Sequence, residues 1–308
     1  MKKTVGIVYA CSAAALWAVS GIAGQILFTK YSISANWLVS TRLVLSGCLL
    51  LSIGLKDRAR LISPFREKKD FIQLLLFSFL GMFLVQFTYF KTIEQSNASF
   101  ATIIQYTGPF FVLLYAAIAK RQLPSLKTCF WLLVTLLGVT AVTSKGQIEQ
   151  LATSQSALGW GLASAISLAF YSIQPRKLLQ KYGSLPIVGW GMLIGGGLGN
   201  VVHPMWQIGS QLNVQVILYL LVVILFGTAL AYLIFLTSLR YLSSTLATVL
   251  TAVEPLLAAF LSIIVFHDHF TVVELVGFMA VIGSIMCLQK KLSKKTRFAK
   301  IGEVSSFL

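Results

Sequence analysis

Glu254 is the residue of this chain best placed to do chemistry. It lies inside the apolar stretch Thr245–Phe266 and is followed directly by Pro255. An ionised carboxylate among apolar residues is costly, so it must face a cavity or a partner. Proline has no amide N–H and frees a carbonyl nearby. Together the two features could make a cation-binding or proton-accepting point. The alternative is an internal tie, to Arg42 or to a Ser or Thr. Arg42 stands about seven residues into another apolar stretch, Ala35–Leu55. It could bind an anionic group of a cargo, stabilise the helix bundle or snorkel outward.

Other chemistries find little support. Cys11, Cys48, Cys129 and Cys287 all lie in apolar runs without C-x-x-C spacing and read as small apolar residues. His267-Asp268-His269 is a weak pattern for zinc and reads as a solvated outer turn; His203 falls near an outer end. An intramembrane enzyme would need a nucleophile with a base, paired carboxylates or a metal cluster at membrane depth. The apolar runs offer one acid, Glu254. No Gly-Lys-Ser phosphate loop is present either. The expectation is a protein that is not an enzyme, with no cofactor and no metal.

The elements that position these residues follow from composition. Of 308 residues, 57% are apolar and 11% charged, against roughly 25% charged in soluble domains. The mean hydropathy is +0.83. Too little polar surface remains to wrap a soluble globule. The apolar residues fall into ten runs of the length a spanning helix needs, about 20 residues. They are Val5–Phe28, Ala35–Leu55, Phe71–Phe90, Ser99–Ala119, Cys129–Ser144, Ala157–Ile173, Pro186–Val202, Val214–Leu239, Thr245–Phe266 and Val272–Leu288. The fifth and sixth are short, and their loops are expected to add a turn. The runs are continuous, not alternating, which disfavours strands. The first run outlasts a cleavable signal sequence and reads as a retained helix.

The net charge is +16. On a soluble protein this would suggest nucleic acid, but the positions point to a membrane face. With the N-terminus inside, the inner loops carry 21 of the 25 Lys and Arg, from Lys2 and Lys3 through the Lys56–Lys69 loop to Arg240 and the Lys290–Lys300 tail. The outer loops carry only Lys30, Lys91 and Lys145. This fits the positive-inside rule, with both termini cytoplasmic in a cell membrane and anionic lipids at the cytoplasmic face. The charged inner loop from Lys56 to Asp70 is expected to lie on the headgroups, and the basic tail from Gln289 to be flexible.

The chain also repeats itself. Sliding it by 146 residues places Gly81 on Gly227, Leu84 on Leu230, Ala101 on Ala247, Thr102 on Thr248, Pro109 on Pro255 and Ile118 on Ile264, without a gap. Ala15-Leu16-Trp17-Ala18 of the first span is similar to Leu168-Ala169-Phe170-Tyr171 of the sixth. Spans one to five thus correspond to six to ten. Because five is odd, the copies must enter the membrane from opposite sides, the inverted duplication of secondary transporters. The expected units are 1–145, 146–290 and a basic cytoplasmic tail, 291–308. The paired prolines Pro109 and Pro255 are expected to kink their helices, as hinges or as static bends. Gly191, Gly195 and Gly199, four apart, suit close helix contact.

Gly227-Thr228-Ala229-Leu230-Ala231-Tyr232, Leu239-Arg240-Tyr241-Leu242, Ala247, Val253-Glu254-Pro255-Leu256, Asp268, Gly277 and Gly283 resemble the EamA-type pattern of the drug/metabolite transporter superfamily. Gln105-Tyr106-Thr107-Gly108-Pro109-Phe110 and Gly138 form a weaker first copy, and Arg42 resembles an arginine often found in the second span. The resemblance reaches to about Leu288. It implies an all-α integral membrane fold of ten transmembrane helices, in two inverted five-helix repeats around a central cavity lined by spans one, three, four, six, eight and nine. The chain departs from the pattern at Lys120-Arg121-Gln122, where an acid is usual, and at Asp268, where Glu is common. It also lacks the first-span acid of small multidrug relatives; Trp17 and Gln25 are the notable side chains there.

On the spans so implied, Trp17, Gln86, Tyr89, Gln105, Tyr106, Tyr171, Tyr232 and Glu254 are the candidate binding residues. Gln86 and Tyr89 are three apart and share a helix face. Such a lining suits an amphipathic or amino-acid-sized metabolite, and its aromatics could hold a cation. The function expected is alternating-access transport of small metabolites, with proton or ion coupling as one option. The alternatives are a multidrug or quaternary-cation transporter of the same fold and, more distantly, an intramembrane enzyme. A monomer or homodimer is expected.

Overall fold

The computed structural model describes residues 2–96, 98–121, 123–147, 155–202, 204–207, 212–266 and 271–305. Among these the secondary structure is helical throughout. We label the long helices α1 (Lys2–Tyr31), α2 (Ala35–Gly54), α3 (68–95), α4 (98–120), α5 (Leu126–Ser144), α6 (Gln155–Ile173), α7 (Ser184–Val202), α8 (214–238), α9 (244–266) and α10 (Val272–Ser305). Six of them, α1 to α6, together with α8 and α9, are long and apolar enough to cross a membrane; Val272–Leu288 of α10 is a shorter apolar stretch.

The helix ends follow local chemistry. Helix α1 closes with Ser32 in the left-handed region (φ 53°), and the Ile33 amide reaches back to the Leu27 carbonyl at 3.1 Å. The bond satisfies one of the carbonyls left open in the last turn of the helix. The Ser125, Asn213 and Ser243 side chains each accept an amide in the first turn of the helix that follows. At the start of α10, the Glu274 carboxylate accepts from the Thr271 amide at 2.7 Å, and the Thr271 hydroxyl accepts from the Glu274 amide at 3.1 Å. This capping box corrects the count of one intramembrane acid. Glu274 is a second, buried acid in the last apolar run, with a structural explanation.

Two helices are discontinuous. In α4, Ala98–Gln105 and Gly108–Lys120 are separated at Tyr106-Thr107; in α9, Ser244–Leu250 and Val253–Phe266 are separated at Thr251-Ala252. The prolines therefore stand in the first turn of a second segment instead of kinking a continuous helix. That turn tolerates proline because its amides lack intrahelical acceptors. Two other helices carry π-helical segments, Phe77–Phe83 in α3 and Val222–Leu230 in α8, which hold the aligned glycines Gly81 and Gly227.

The main packing pairs are α2 with α7, α5 with α10, α3 with α6 and α1 with α8 and α9. Helices α2 and α7 meet backbone to backbone: a Cβ on Gly47 would lie 2.6 Å from the Leu193 nitrogen, and one on Gly196 2.6 Å from the Val44 nitrogen. The expected stripe of Gly191, Gly195 and Gly199 faces chiefly α3 instead, where Gly195 abuts the Ser78 carbonyl.

Both basic segments contain helix. The Lys56–Asp70 loop is largely helical, with Arg58–Ile62 and two short 3-10 turns, and its Leu61, Pro64 and Asp70 are buried. The apolar residues between its charges anchor it to the bundle. The tail from Gln289 continues α10 as helix to Ser305. It holds no proline and no glycine before Gly302, and Lys and Arg are good helix formers. His203, Gln122 and His267-Asp268-His269 lie outside the described residues.

Candidate functional site

The π-helical segment of α3 begins a chain of polar contacts. Its Met82 carbonyl accepts from Gln86 Nε2 at 3.3 Å, and Gln86 Oε1 accepts from Arg42 Nη2 of α2. The Arg42 guanidinium also lies 5.6 Å from the centre of the Phe90 ring, within cation–π range. Its Nε is buried without a partner. Arg42 makes no ion pair among the described residues, and Glu254 makes none either. The tie between these two charges, one of the alternatives for Glu254, is absent among the described residues, and Arg42 bonds a neutral glutamine instead.

Around the break in α4, the Gln105 side chain donates to Ser164 Oγ of α6 at 2.8 Å. Thr102 Oγ1 bonds Tyr89 Oη at 2.9 Å. Tyr106 donates its hydroxyl to the Thr251 carbonyl, at the break in α9, at 2.7 Å. The Tyr106 hydroxyl also interacts with the Glu254 carboxylate. The charges of Arg42 and Glu254 both reach Tyr89 and Tyr232.

The remaining residues form an aromatic stack. Trp17 of α1 meets Tyr232 edge-on at 5.2 Å and Phe235 at 5.3 Å. Tyr171 of α6 lies against Tyr232 at 5.9 Å, Phe235 at 5.7 Å and Phe77 at 6.0 Å. Such ring pairs are worth about 0.5–1.5 kcal/mol each beyond their burial. Trp17 Nε1 and the Tyr171 hydroxyl are buried with no hydrogen-bond partner. Phe77 and Phe235 of this stack, and Phe90 beside Arg42, carry no mark in the sequence. A lone Phe on an apolar span carries no signal of its place.

The residues predicted to line a cavity thus pack on one another. A cavity of about 450 Å³ lies elsewhere, between the ends of α2 and α8, the start of α7 and Tyr9 of α1. None of the candidate binding residues borders it.

Helices broken within apolar stretches, and charged residues set among apolar spans, recur in membrane transporters. The comparisons agree. The model of the EamA-like transporter family matches residues 4–144 and 155–289, and the chain belongs to that family, a membrane transporter of the drug/metabolite transporter type. It is 30% identical to an uncharacterized inner membrane transporter, YicL, of Salmonella typhimurium, over 96% of this chain and 98% of that one. It is 25% identical to the uncharacterized transporter YetK of Bacillus subtilis, over 72% and 69% of the two chains. A probable sugar phosphate/phosphate translocator of Arabidopsis thaliana is 26% identical over 61% of this chain and 48% of its own. A solved crystal structure matches 94% of this chain and 98% of its own at a TM-score of 0.79 and 15% identity, a likeness of fold alone.

Proposed function

We propose that this chain is an alternating-access transporter of small amphipathic, amino-acid-sized metabolites, built from two inverted five-helix repeats that cross the membrane ten times, with both termini cytoplasmic. The repeat reading is supported by the two separate family matches, 4–144 and 155–289. It is also supported by a packing pattern that maps onto itself when each helix is exchanged for the one five further on. Pairs α2–α7 and α5–α10 are unchanged, while α3–α6 exchanges with α8–α1. Both α3 and α8 carry a π-helical segment, and both α4 and α9 are broken. Helices interrupted near the midplane are a common way to build a transporter's binding site.

The observation that carries the cargo reading is the set of buried polar atoms without partners, Arg42 Nε, Trp17 Nε1 and Tyr171 Oη. A buried polar group left unpaired costs about 1–3 kcal/mol, so three around one site favour a ligand that supplies their partners. Under the 146-residue shift Gln86 corresponds to Tyr232 and Tyr89 to Phe235. At both positions the first-half residue is the more polar of the pair, which suits a cargo with one polar and one apolar side. Arg42 offers a site for an anionic group and Glu254 for a cationic one or for a proton. The rocking of the two bundles would part the aromatic stack and admit the cargo. A purely cationic drug is disfavoured by the unpaired Arg42 beside the stack.

Proteoliposome flux of labelled amino acids and related amphipathic metabolites, with and without a pH gradient, tests this reading. Saturable counterflow by at least one such solute is the expected result. No flux across a broad panel would overturn it.

A further inference from the structure

The cavity of about 450 Å³ is walled by the cations Lys56, Arg60 and Arg240, with Asp57 the one acid among its lining residues. The Asp57 carboxylate is already engaged, accepting from the Arg60 amide at 3.1 Å as the cap of Arg58–Ile62. The lining therefore has an excess of positive charge. Arg60 is held in place: its Nε donates to the Tyr182 carbonyl at 3.1 Å. Its guanidinium lies against Gly183, which has φ +87° and no side chain to displace it. Nη2 is the guanidinium atom packed nearest Gly183, and the bond through Nε leaves the donors of the terminal nitrogens available to an acceptor.

The cavity also borders Ser184, the first residue of the 19-residue helix α7. The Ser184 side chain is 7% exposed, and its hydroxyl is buried without a hydrogen-bond partner. Amides at the start of a helix likewise lack intrahelical acceptors. Basic side chains, an unpartnered hydroxyl and a helix N-terminus converge on one space, a donor set for a phosphate-type oxyanion. The rest of the wall is apolar, including Ile53, Leu233 and Ile234 from the ends of α2 and α8. A free phosphate ion would leave that wall bare. A phosphodiester attached to acyl chains would cover it, and basic pockets between spans at a membrane face recognise anionic headgroups.

We propose that this cavity is a specific binding site for the headgroup of an anionic phospholipid. Its phosphodiester is held by Arg60, Arg240, Lys56 and the Ser184 hydroxyl, and its glycerol backbone and upper acyl chain lie along Ile53, Leu233 and Ile234. This site stands apart from the Arg42–Glu254 region and does not depend on the cargo reading.

Native mass spectrometry of the purified full chain, incubated with phosphatidylglycerol or with phosphatidylcholine of the same acyl chains, tests the proposal. The expected result is one tightly retained phosphatidylglycerol per chain, with phosphatidylcholine not retained. Arg60→Gln combined with Arg240→Gln should weaken retention about tenfold or more, given the strength of charge-assisted bonds to phosphate. Ser184→Ala, which leaves every charge in place, should weaken it to a smaller degree and keeps the test open if the double variant folds poorly. Lys68→Gln with Lys69→Gln, the same charge change outside the cavity, should retain the lipid as the unaltered chain does. Equal loss in that control would mean diffuse surface attraction and overturn the proposal. Undiminished retention in both cavity variants would overturn it too, as would displacement of the lipid by inorganic phosphate or glycerol phosphate at comparable affinity, which would assign the cavity to a soluble anion.

Discussion

The Tyr106 hydroxyl and the Thr251 carbonyl, 145 residues apart, are joined by a 2.7 Å hydrogen bond that links the break in α4 to the break in α9. In an unbroken helix the Thr251 carbonyl would accept from residue 255, and that residue is proline. It accepts from the Glu254 amide at 2.8 Å instead, and Tyr106 takes the remaining lone pair. The bond has no mirror image, because the 146-residue counterpart of Tyr106 is Ala252. Tyr106→Phe should cost about 1 kcal/mol, seen as a melting temperature lower by a few degrees. An unchanged melting temperature would show that the contact contributes nothing.

Arg42 is anchored through Gln86 to the π-helical carbonyl of Met82. Arg42→Lys keeps the charge but loses the planar fork. We expect at least a tenfold rise in the cargo concentration needed for half-maximal flux, with the protein still folded by size-exclusion chromatography. Gln86→Ala should give a smaller effect in the same direction, because it loosens the arginine without removing it. Equal flux by Arg42→Lys and the unaltered chain would take Arg42 out of cargo binding.

Glu254 stands in the first turn of the second α9 segment, beside Tyr106. Glu254→Gln keeps the shape and removes the titrating group. The expected outcome is flux that no longer responds to a pH gradient while counterflow of unlabelled for labelled cargo persists. A pH response identical to that of the unaltered chain would remove Glu254 from coupling.

One end of the bundle is held by a polar cluster across the two halves. Lys181 lies 2.7 Å from Asp70 and 2.6 Å from Glu67, and Tyr182 donates to the same Asp70 oxygen at 2.6 Å. Lys181 is half exposed, so Lys181→Met should cost no more than about 1 kcal/mol. Asp70→Asn leaves the buried tyrosine facing a neutral acceptor and should cost about 1.5–3 kcal/mol. Thermal melts in detergent, at low and at 1 M salt, should show the Lys181 effect shrinking with salt and the larger Asp70 effect persisting. The reverse order would contradict this assignment of the bonds.

The helices were legible because their apolar runs are long and continuous. The helices around Cys129–Ser144, Ala157–Ile173 and Pro186–Val202 begin two or three residues before those runs, where polar residues such as Gln155 and Ser184 add a first turn. The breaks in α4 and α9 were half legible. Pro109 and Pro255 announce a lost amide, yet the chain departs from helix just before each proline's segment, where no residue type forces it. The π-helical segments left no sequence signal, since an extra residue in a helical turn changes spacing but not composition. Among site residues, Glu254 and Arg42 stood out because charge is rare in a span. Their lack of mutual pairing did not, because partner choice depends on how α2, α3 and α9 are placed in space. Asp70 read as a loop charge and Glu274 went uncounted, and only packing and capping explain their burial.

Alternating access between two inverted repeats requires the two halves to lie antiparallel in the membrane. Cysteine accessibility tests this directly, in a background with Cys11, Cys48, Cys129 and Cys287 replaced by alanine. Lys91→Cys and Arg240→Cys are labelled with a membrane-impermeant maleimide in sealed right-side-out vesicles. The account predicts that Lys91→Cys reacts from outside and that Arg240→Cys reacts only after the vesicles are opened. Reaction of both from the same side would contradict it.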